Sequence, residues 1–221
     1  MEIPVWNLDY YNSRVRYQPE TRIVRNTIDP KYIDAGEYRP HCFPILPLED
    51  NTPDGGFNLT RATLFSGRRV VPESVPWKLS WHSKLSSPDD FQWTTVYSVS
   101  DRLHNLIEEL EPKVHQFERL EIIGRHQRLI ERRWFWQICN RINSVVSSDP
   151  DLEQDNYGNW IKIPQPKILS FDIEKTRKFH FWREAYLHGP VLLCSNTAKL
   201  RMEKTAMTGA LFKRMGVARN I

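Results

Sequence analysis

The chain has 221 residues, 40% of them apolar and 26% charged, with a net charge of +4. This is a soluble, globular composition with enough residues for one large domain or two small ones. No apolar run approaches the ~20 residues of a membrane helix. The three cysteines, Cys42, Cys139 and Cys194, are far apart and show no C-x-x-C or other metal-ligand spacing. They therefore read as reduced thiols, with no metal site and no cofactor expected.

Met1–Trp6 lacks a basic segment followed by an apolar one, so the expectation is a cytoplasmic protein without a secretory signal. Residues 1–60 are rich in Pro, Tyr, Asp and Asn and read as an irregular, Pro-rich N-terminal arm, with short strands at Val5–Leu8 and Thr21–Val24. Three prolines between Tyr38 and Pro47 exclude a helix or central strand there, and Asp54-Gly55-Gly56 marks a turn within Leu48–Phe57. Residues 61–221 form the expected α+β domain. Its first pieces are short strands at Thr63–Phe65 and Arg69–Val71 and an edge segment at Val75–Trp81.

The central unit, residues 96–142, carries the clearest signal. Ser100 suits a helix N-cap, and Ser98 with Asp101 offers a looser capping-box alternative. Leu103, Leu106, Ile107 and Leu110 repeat at helical spacing, and Pro112 ends the helix. Leu120–Ile123 then turns at Gly124 and is answered by an antiparallel strand through Trp134–Ile138. The polar stretch from Arg141 to Gly158 is too long for a simple connection. Strands return at Trp160–Ile163, Lys167–Ile173 and Phe179–Trp182.

The closing unit, residues 167–215, ends with a strand at Val191–Ser195, a helix capped by Ser195 over Asn196–Met207, Gly209 as its C′ residue, and a strand over Ala210–Met215. An offset of 95 residues pairs Val96 with Val191, Ser100 with Ser195, Glu108 with Glu203, Phe117 with Phe212 and Arg119 with Arg214. The matching order of elements makes an internal strand–helix–strand repeat one reading of these identities, and coincidence the other. The expected fold is thus a mostly antiparallel sheet with two Ser-capped helices.

Four short motifs occur in order: Ser98-Val-Ser-Asp-Arg-Leu103, Leu110-Glu-Pro-Lys-Val-His-Gln-Phe117, Cys139-Asn-Arg-Ile142 and Thr208-Gly-Ala-Leu-Phe212. Over residues 60–215 they make the chain resemble the immunity protein 11 family, bacterial proteins encoded beside polymorphic toxins. Thr205-Ala-Met207 departs from the small residue commoner before the Thr-Gly. The resemblance implies a protein that binds and neutralises a cognate toxin from a neighbouring gene in the producing cell. It implies the setting of interbacterial competition and type VI secretion, no enzymatic activity, and no catalytic residues to carry over.

The residues themselves offer little catalysis. His115 reads as a hydrogen-bonded structural histidine and His126, near Glu131, as part of a solvated turn; His180 and His188 have no zinc-binding spacing. Cys139 and Cys194 are the best nucleophile candidates, and Cys194 beside a helix N-terminus could have a lowered pKa. Six Lys or Arg against Glu203 between Lys199 and Arg219 read as a solvated face before a phosphate-binding patch. Eight tryptophans, including Trp77, Trp81, Trp93, Trp134, Trp136 and Trp182, read first as core and strand pairing, with a partner surface as the alternative.

The sharper partner-binding proposal is the loop at 147–160, where Asp149, Asp151, Glu153 and Asp155 stand beside Tyr157 and Trp160. Such a loop can face the basic surface of a nuclease toxin. Three functions compete: a toxin-binding immunity protein, a hydrolase that reverses a toxin's covalent modification, and a nucleic-acid-binding module. The first is preferred, with a toxin domain as partner and neither membrane nor nucleic acid expected.

Overall fold

The computed structural model describes residues 2–10, 21–23, 59, 64, 66–81, 90–93, 96–146, 153–154, 160–162, 169–187 and 191–220. In chain order the strands are β1 (Ile3–Tyr10), β2 (Thr21–Ile23), β3 (Lys78–Trp81), β4 (Phe91–Trp93), β5 (Tyr97–Val99), β6 (Gln116–Ile123) and β7 (Leu129–Gln137). They continue with β8 (Arg141–Ile142), β9 (Glu153–Gln154), β10 (Trp160–Lys162), β11 (Leu169–Asp172), β12 (Phe181–Glu184), β13 (Leu193–Ser195) and β14 (Ala210–Arg219). The described α-helices are α1 (Asp101–Leu110), α2 (Ile173–Thr176) and α3 (Asn196–Lys204). The fold is α+β.

Both longer helices start on a serine for the same reason. The Ser100 hydroxyl accepts the Leu103 N–H at 3.2 Å, and the Ser195 hydroxyl accepts that of Ala198 at 3.1 Å, each satisfying a donor that the first turn leaves orphaned. Leu103, Leu106 and Ile107 turn the apolar stripe of α1 into the core, and Ala198 and Met202 do so for α3. Ser98 is buried in β5, so the alternative cap is not made. Helix α3 stops at Lys204, short of the expected Met207. Thr205 hydrogen-bonds back to the Arg201 carbonyl at 2.9 Å, and Ala206 takes the left-handed backbone (φ 50°). Gly209 (φ 80°) serves instead the turn into β14.

Two six-stranded sheets form, ordered β2-β3-β6-β7-β5-β4 and β11-β14-β1-β13-β12-β8, beside a two-stranded ribbon β9-β10. Five consecutive strands of each sheet correspond. In the first, β3 is parallel to β6, β6 is antiparallel to β7, β7 to β5, and β5 to β4. In the second, β11 is parallel to β14, β14 is antiparallel to β1, β1 to β13, and β13 to β12. Strand–helix–strand units β5-α1-β6 and β13-α3-β14 thus leave a one-strand gap in each sheet. The first is filled by the next strand in the chain, β7. The second is filled by the N-terminal strand, β1.

The 95-residue offset survives at the level of contacts. Phe117 and Arg119 lie across from Trp136 and Trp134, as Phe212 and Arg214 lie across from Leu8 and Trp6. The Trp134 indole N–H donates to Asp101 Oδ1 at 2.7 Å, and that of Trp6 to Asn196 Oδ1 at 3.1 Å. His104 stacks on the Trp134 ring at 4.2 Å, where the Lys199 ammonium sits 4.6 Å from the Trp6 ring.

One core runs between the sheets and helices, gathering Leu8, Leu103, Ile107, Leu120, Phe135, Trp136, Phe181, Cys194, Ala198 and Met202. A second, with Val5, Leu169, Phe171, Trp182, Leu193 and Ala218, covers the far face of the second sheet. Strand pleating explains the division: neighbours Phe181 and Trp182, and Leu193 and Cys194, point into different cores. Both faces being buried, β13 comes from a continuous apolar run rather than an alternating one.

Several expectations need correction. Ile3–Tyr10 is longer than the expected Val5–Leu8, and it is a central strand rather than part of an irregular arm. Strand β3 lies between β2 and β6 and is not an edge. Leu64 is helical, not part of a strand. Val70 makes only a bridge: the Gln116 side chain accepts its N–H at 2.8 Å and donates to its carbonyl at 2.9 Å. The polar stretch from Arg141 contains β8, the ribbon strand β9, and Val145 bridging to Phe171. Helix α2, capped by the Asp172 carboxylate accepting from Glu174 N–H at 2.9 Å, follows β11 where extended chain was expected at Ile173. The stretches Tyr38–Pro47 and Leu48–Phe57 lie outside the described residues.

Candidate functional site

The residues of the four motifs converge on two interior clamps. At the first, the Asp90 carboxylate accepts the Ser100 hydroxyl at 2.6 Å, the Thr208 N–H at 3.0 Å, the Thr208 hydroxyl at 3.2 Å and an Arg102 N–H at 3.0 Å. Burial opposes ionisation of Asp90, but these hydrogen bonds and the Arg102 charge outweigh it and hold the carboxyl below its ordinary range. The clamp ties the cap of α1 to the turn before β14, and so joins the two repeats.

At the second, the buried Glu111 carboxylate accepts four donors: His115 Nε2 at 2.8 Å, Asn140 Nδ2 at 2.9 Å, and the backbone N–H groups of His180 at 2.8 Å and Phe181 at 3.0 Å. His115 Nδ1 accepts the Cys139 N–H at 3.2 Å, which only its lone pair can do, so the proton resides on Nε2 and the ring is neutral. Four donors saturate a carboxylate's acceptor capacity. This histidine is structural, as expected, and Glu111 is what the sequence reading missed; nothing in Leu110-Glu-Pro112 distinguishes a buried acid from a solvated one.

The other candidates for chemistry fall in different settings. Cys194 is fully buried, and burial pushes its thiol up rather than down, which removes the activated nucleophile. Cys139 is half-buried, with its thiol 3.5 Å from the Gln137 carbonyl. His126 is exposed in the β6–β7 turn at φ 57°, and Glu131 is pushed upward by burial despite the opposing Arg133 charge. His188 lies outside the described residues. Among the described residues no cluster of His, Cys, Asp or Glu has a metal-binding arrangement. No described helix is long and apolar enough to cross a membrane.

Three of the six C-terminal basic residues have carboxylate partners. Lys199 pairs with Glu203 at 2.6 Å, Arg201 with Glu109 at 2.6 Å and Lys213 with Asp9 at 2.7 Å. This agrees with a solvated, mixed-charge face. Of the acidic-loop residues, Glu153 and Trp160 fall in the β9–β10 ribbon, with Glu153 across from Lys162 and Trp160 across from Gln154. Asp149, Asp151, Asp155 and Tyr157 lie outside the residues that the structure describes.

What it does show is accessible aromatic and charged side chains on α1, β6 and β7 and just before β3. Trp77 is 49% exposed, with the Lys78 ammonium 4.1 Å from its ring. The Arg119 guanidinium lies 3.6 Å from the Trp134 ring and 3.3 Å from Asp101. An open groove of about 490 Å³ is lined by His104, Phe117 and Trp134 together with Arg69, Lys113, Glu108 and Glu118. Trp81, Trp136 and Trp182 are buried core residues. Aromatic and arginine side chains on an accessible face are the composition of protein interfaces.

In a comparison with protein families, the model of the Immunity protein family (Imm11) matches residues 45–217. Among curated proteins nothing matches the chain.

Proposed function

The chain belongs to the Imm11 immunity protein family, and on that premise we propose that it binds a cognate bacterial toxin in a tight protein–protein complex and so protects the cell that makes it. The match over residues 45–217 carries this reading. The toxin domain is the product of a neighbouring gene, and the complex forms in the cytoplasm of the producing cell. The chain acts by occupancy rather than by turnover. The accessible surface with Trp77, Arg119 and Trp134 supports an interface, since rigid aromatics and arginine carry much of the energy in such contacts.

We retain the acidic loop as an electrostatic guide. Asp149, Asp151, Glu153 and Asp155, with Tyr157 and Trp160, would meet the basic face that a nuclease toxin presents to its substrate. Co-expression tests the function: cells making the toxin domain survive when they also make this chain, and the two purified proteins elute as a one-to-one complex. No rescue and no complex would contradict it. Changing the four acids to Ser lowers the association rate and flattens its salt dependence; an unchanged rate removes the loop from recognition.

A further inference from the structure

We infer that the tip of the β6–β7 hairpin, residues 124–129, seats on the toxin, and that it meets a patch of toxin carboxylates bordering an apolar one. The inference rests on the toxin-binding reading above and names the contact. Backbone, charge and the comparison of the repeats each support it.

The backbone of the tip is strained. The Gly124 N–H donates to the Arg128 carbonyl at 2.8 Å and closes the turn. Inside it His126 (φ 57°) and Gln127 (φ 60°) both take the left-handed region, where hairpin turns favour Asn-Gly or Gly-Gly and other side chains crowd the backbone. Both residues are exposed, and neither side chain bonds to another described residue. No described contact of these side chains offsets the strain, and strain kept at an exposed position is a mark of sites that serve a partner.

The tip is also basic. Its six residues include Arg125, His126 and Arg128 and no acid. Exposed Arg128 has no carboxylate partner among the described residues. The acids of the adjoining strands are engaged: Glu131 accepts from Arg133 at 3.3 and 3.4 Å, and Glu121 lies 3.9 Å from Lys78 and 3.7 Å from Arg132. Cations thus exceed acids at this end of the sheet. Leu129, next to Arg128, is 41% exposed, one of three large apolar side chains that the described residues leave so open. Carboxylates satisfy Arg128, and an apolar neighbour covers Leu129. A phosphate backbone would serve the arginine and leave the leucine bare, so a protein fits better than nucleic acid.

The tip has no counterpart in the second repeat. The offset puts Gly124 at Arg219, where β14 ends, and the strand that fills the second gap is β1 rather than a hairpin return. Leu129 belongs to neither core. A structural duty common to both repeats therefore does not explain what the tip displays.

The test measures binding of the purified toxin domain from the adjacent gene to the whole chain and to two variants, with melting temperatures alongside. Arg128→Glu should weaken the complex about ten-fold or more at an unchanged melting temperature. His126→Asn combined with Gln127→Gly should raise the melting temperature and also weaken the complex, a split that a purely structural turn would not give. The Arg128→Glu result decides: unchanged affinity, or a loss that follows a lower melting temperature, overturns the hairpin contact and leaves the toxin-binding reading standing. No binding by the wild-type chain overturns both. Binding of the chain to duplex DNA or RNA that Arg128→Glu abolishes, with toxin affinity unchanged, assigns the tip to nucleic acid and overturns the contact too.

Discussion

Around Trp134 the first repeat places Asp101 on the indole N–H, His104 on the ring and Arg119 at 3.6 Å, while around Trp6 the second places Asn196, Lys199 and, across the strand pair, Arg214. The contacts agree although most of the residues differ, so this arrangement belongs to the docking of a helix on its sheet. The repeats differ in what holds the turn after the helix: Arg102 and Asp90 in the second, Arg69 and the buried Glu111 in the first. The second repeat thus leans on the first at Asp90, while the first is anchored to the start of β12 through Glu111.

The largest expected effect probes the strand that completes the second repeat. Removing residues 1–10 takes β1 from between β13 and β14 and should abolish cooperative unfolding in a thermal melt followed by circular dichroism. Ile3 lies across from Ala218, so a chain with β1 joined after β14 by a short linker should recover the native melt. A truncated chain that melts like the whole one would contradict the equivalence of β1 and β7.

Next in size is the clamp that ties α1 to the second sheet. Glu111→Ala leaves two backbone N–H groups, Asn140 and His115 without their shared acceptor. Losing it should cost about 3–5 kcal/mol in urea unfolding, and a cost near zero would mean that the repeats do not depend on it.

A smaller effect concerns Glu184, buried on β12 and bonded to the Ser144 hydroxyl at 2.5 Å and its N–H at 2.9 Å. Burial raises its pKa from 4.5 to about 7 despite those bonds. Between these values the folded state keeps a proton that the unfolded state has released, so this group makes stability fall as pH rises through the interval, by up to ~3 kcal/mol. Glu184→Gln should remove that slope, as measured by denaturant midpoints across the range. Persistence of the slope would assign it to other groups.

The local grammar of this fold was legible. Ser100 and Ser195 cap as expected, the β6–β7 hairpin turns after Ile123, and the 95-residue offset matches corresponding elements. The long-range choices were not. Nothing near Val5–Leu8 says that it completes a sheet with strands some 190 residues away, because a strand's position in a sheet is decided by its neighbours and not by its own pattern. Asp90 and Glu111 look like surface acids in sequence, and only their donors explain why they are inside. The motifs that resemble the family fall on these clamps, so they report the fold; the candidate interface drew only its aromatics from the sequence reading, since which of them stay exposed is decided by packing across strands.

Hydrogen exchange of the chain with and without the toxin domain tests the proposed interface most directly. The account predicts slowed exchange over 101–137, which spans α1 and the β6–β7 hairpin, on binding, with 196–219 of the second repeat unchanged. Protection confined to 196–219, or absent from 101–137, would contradict it.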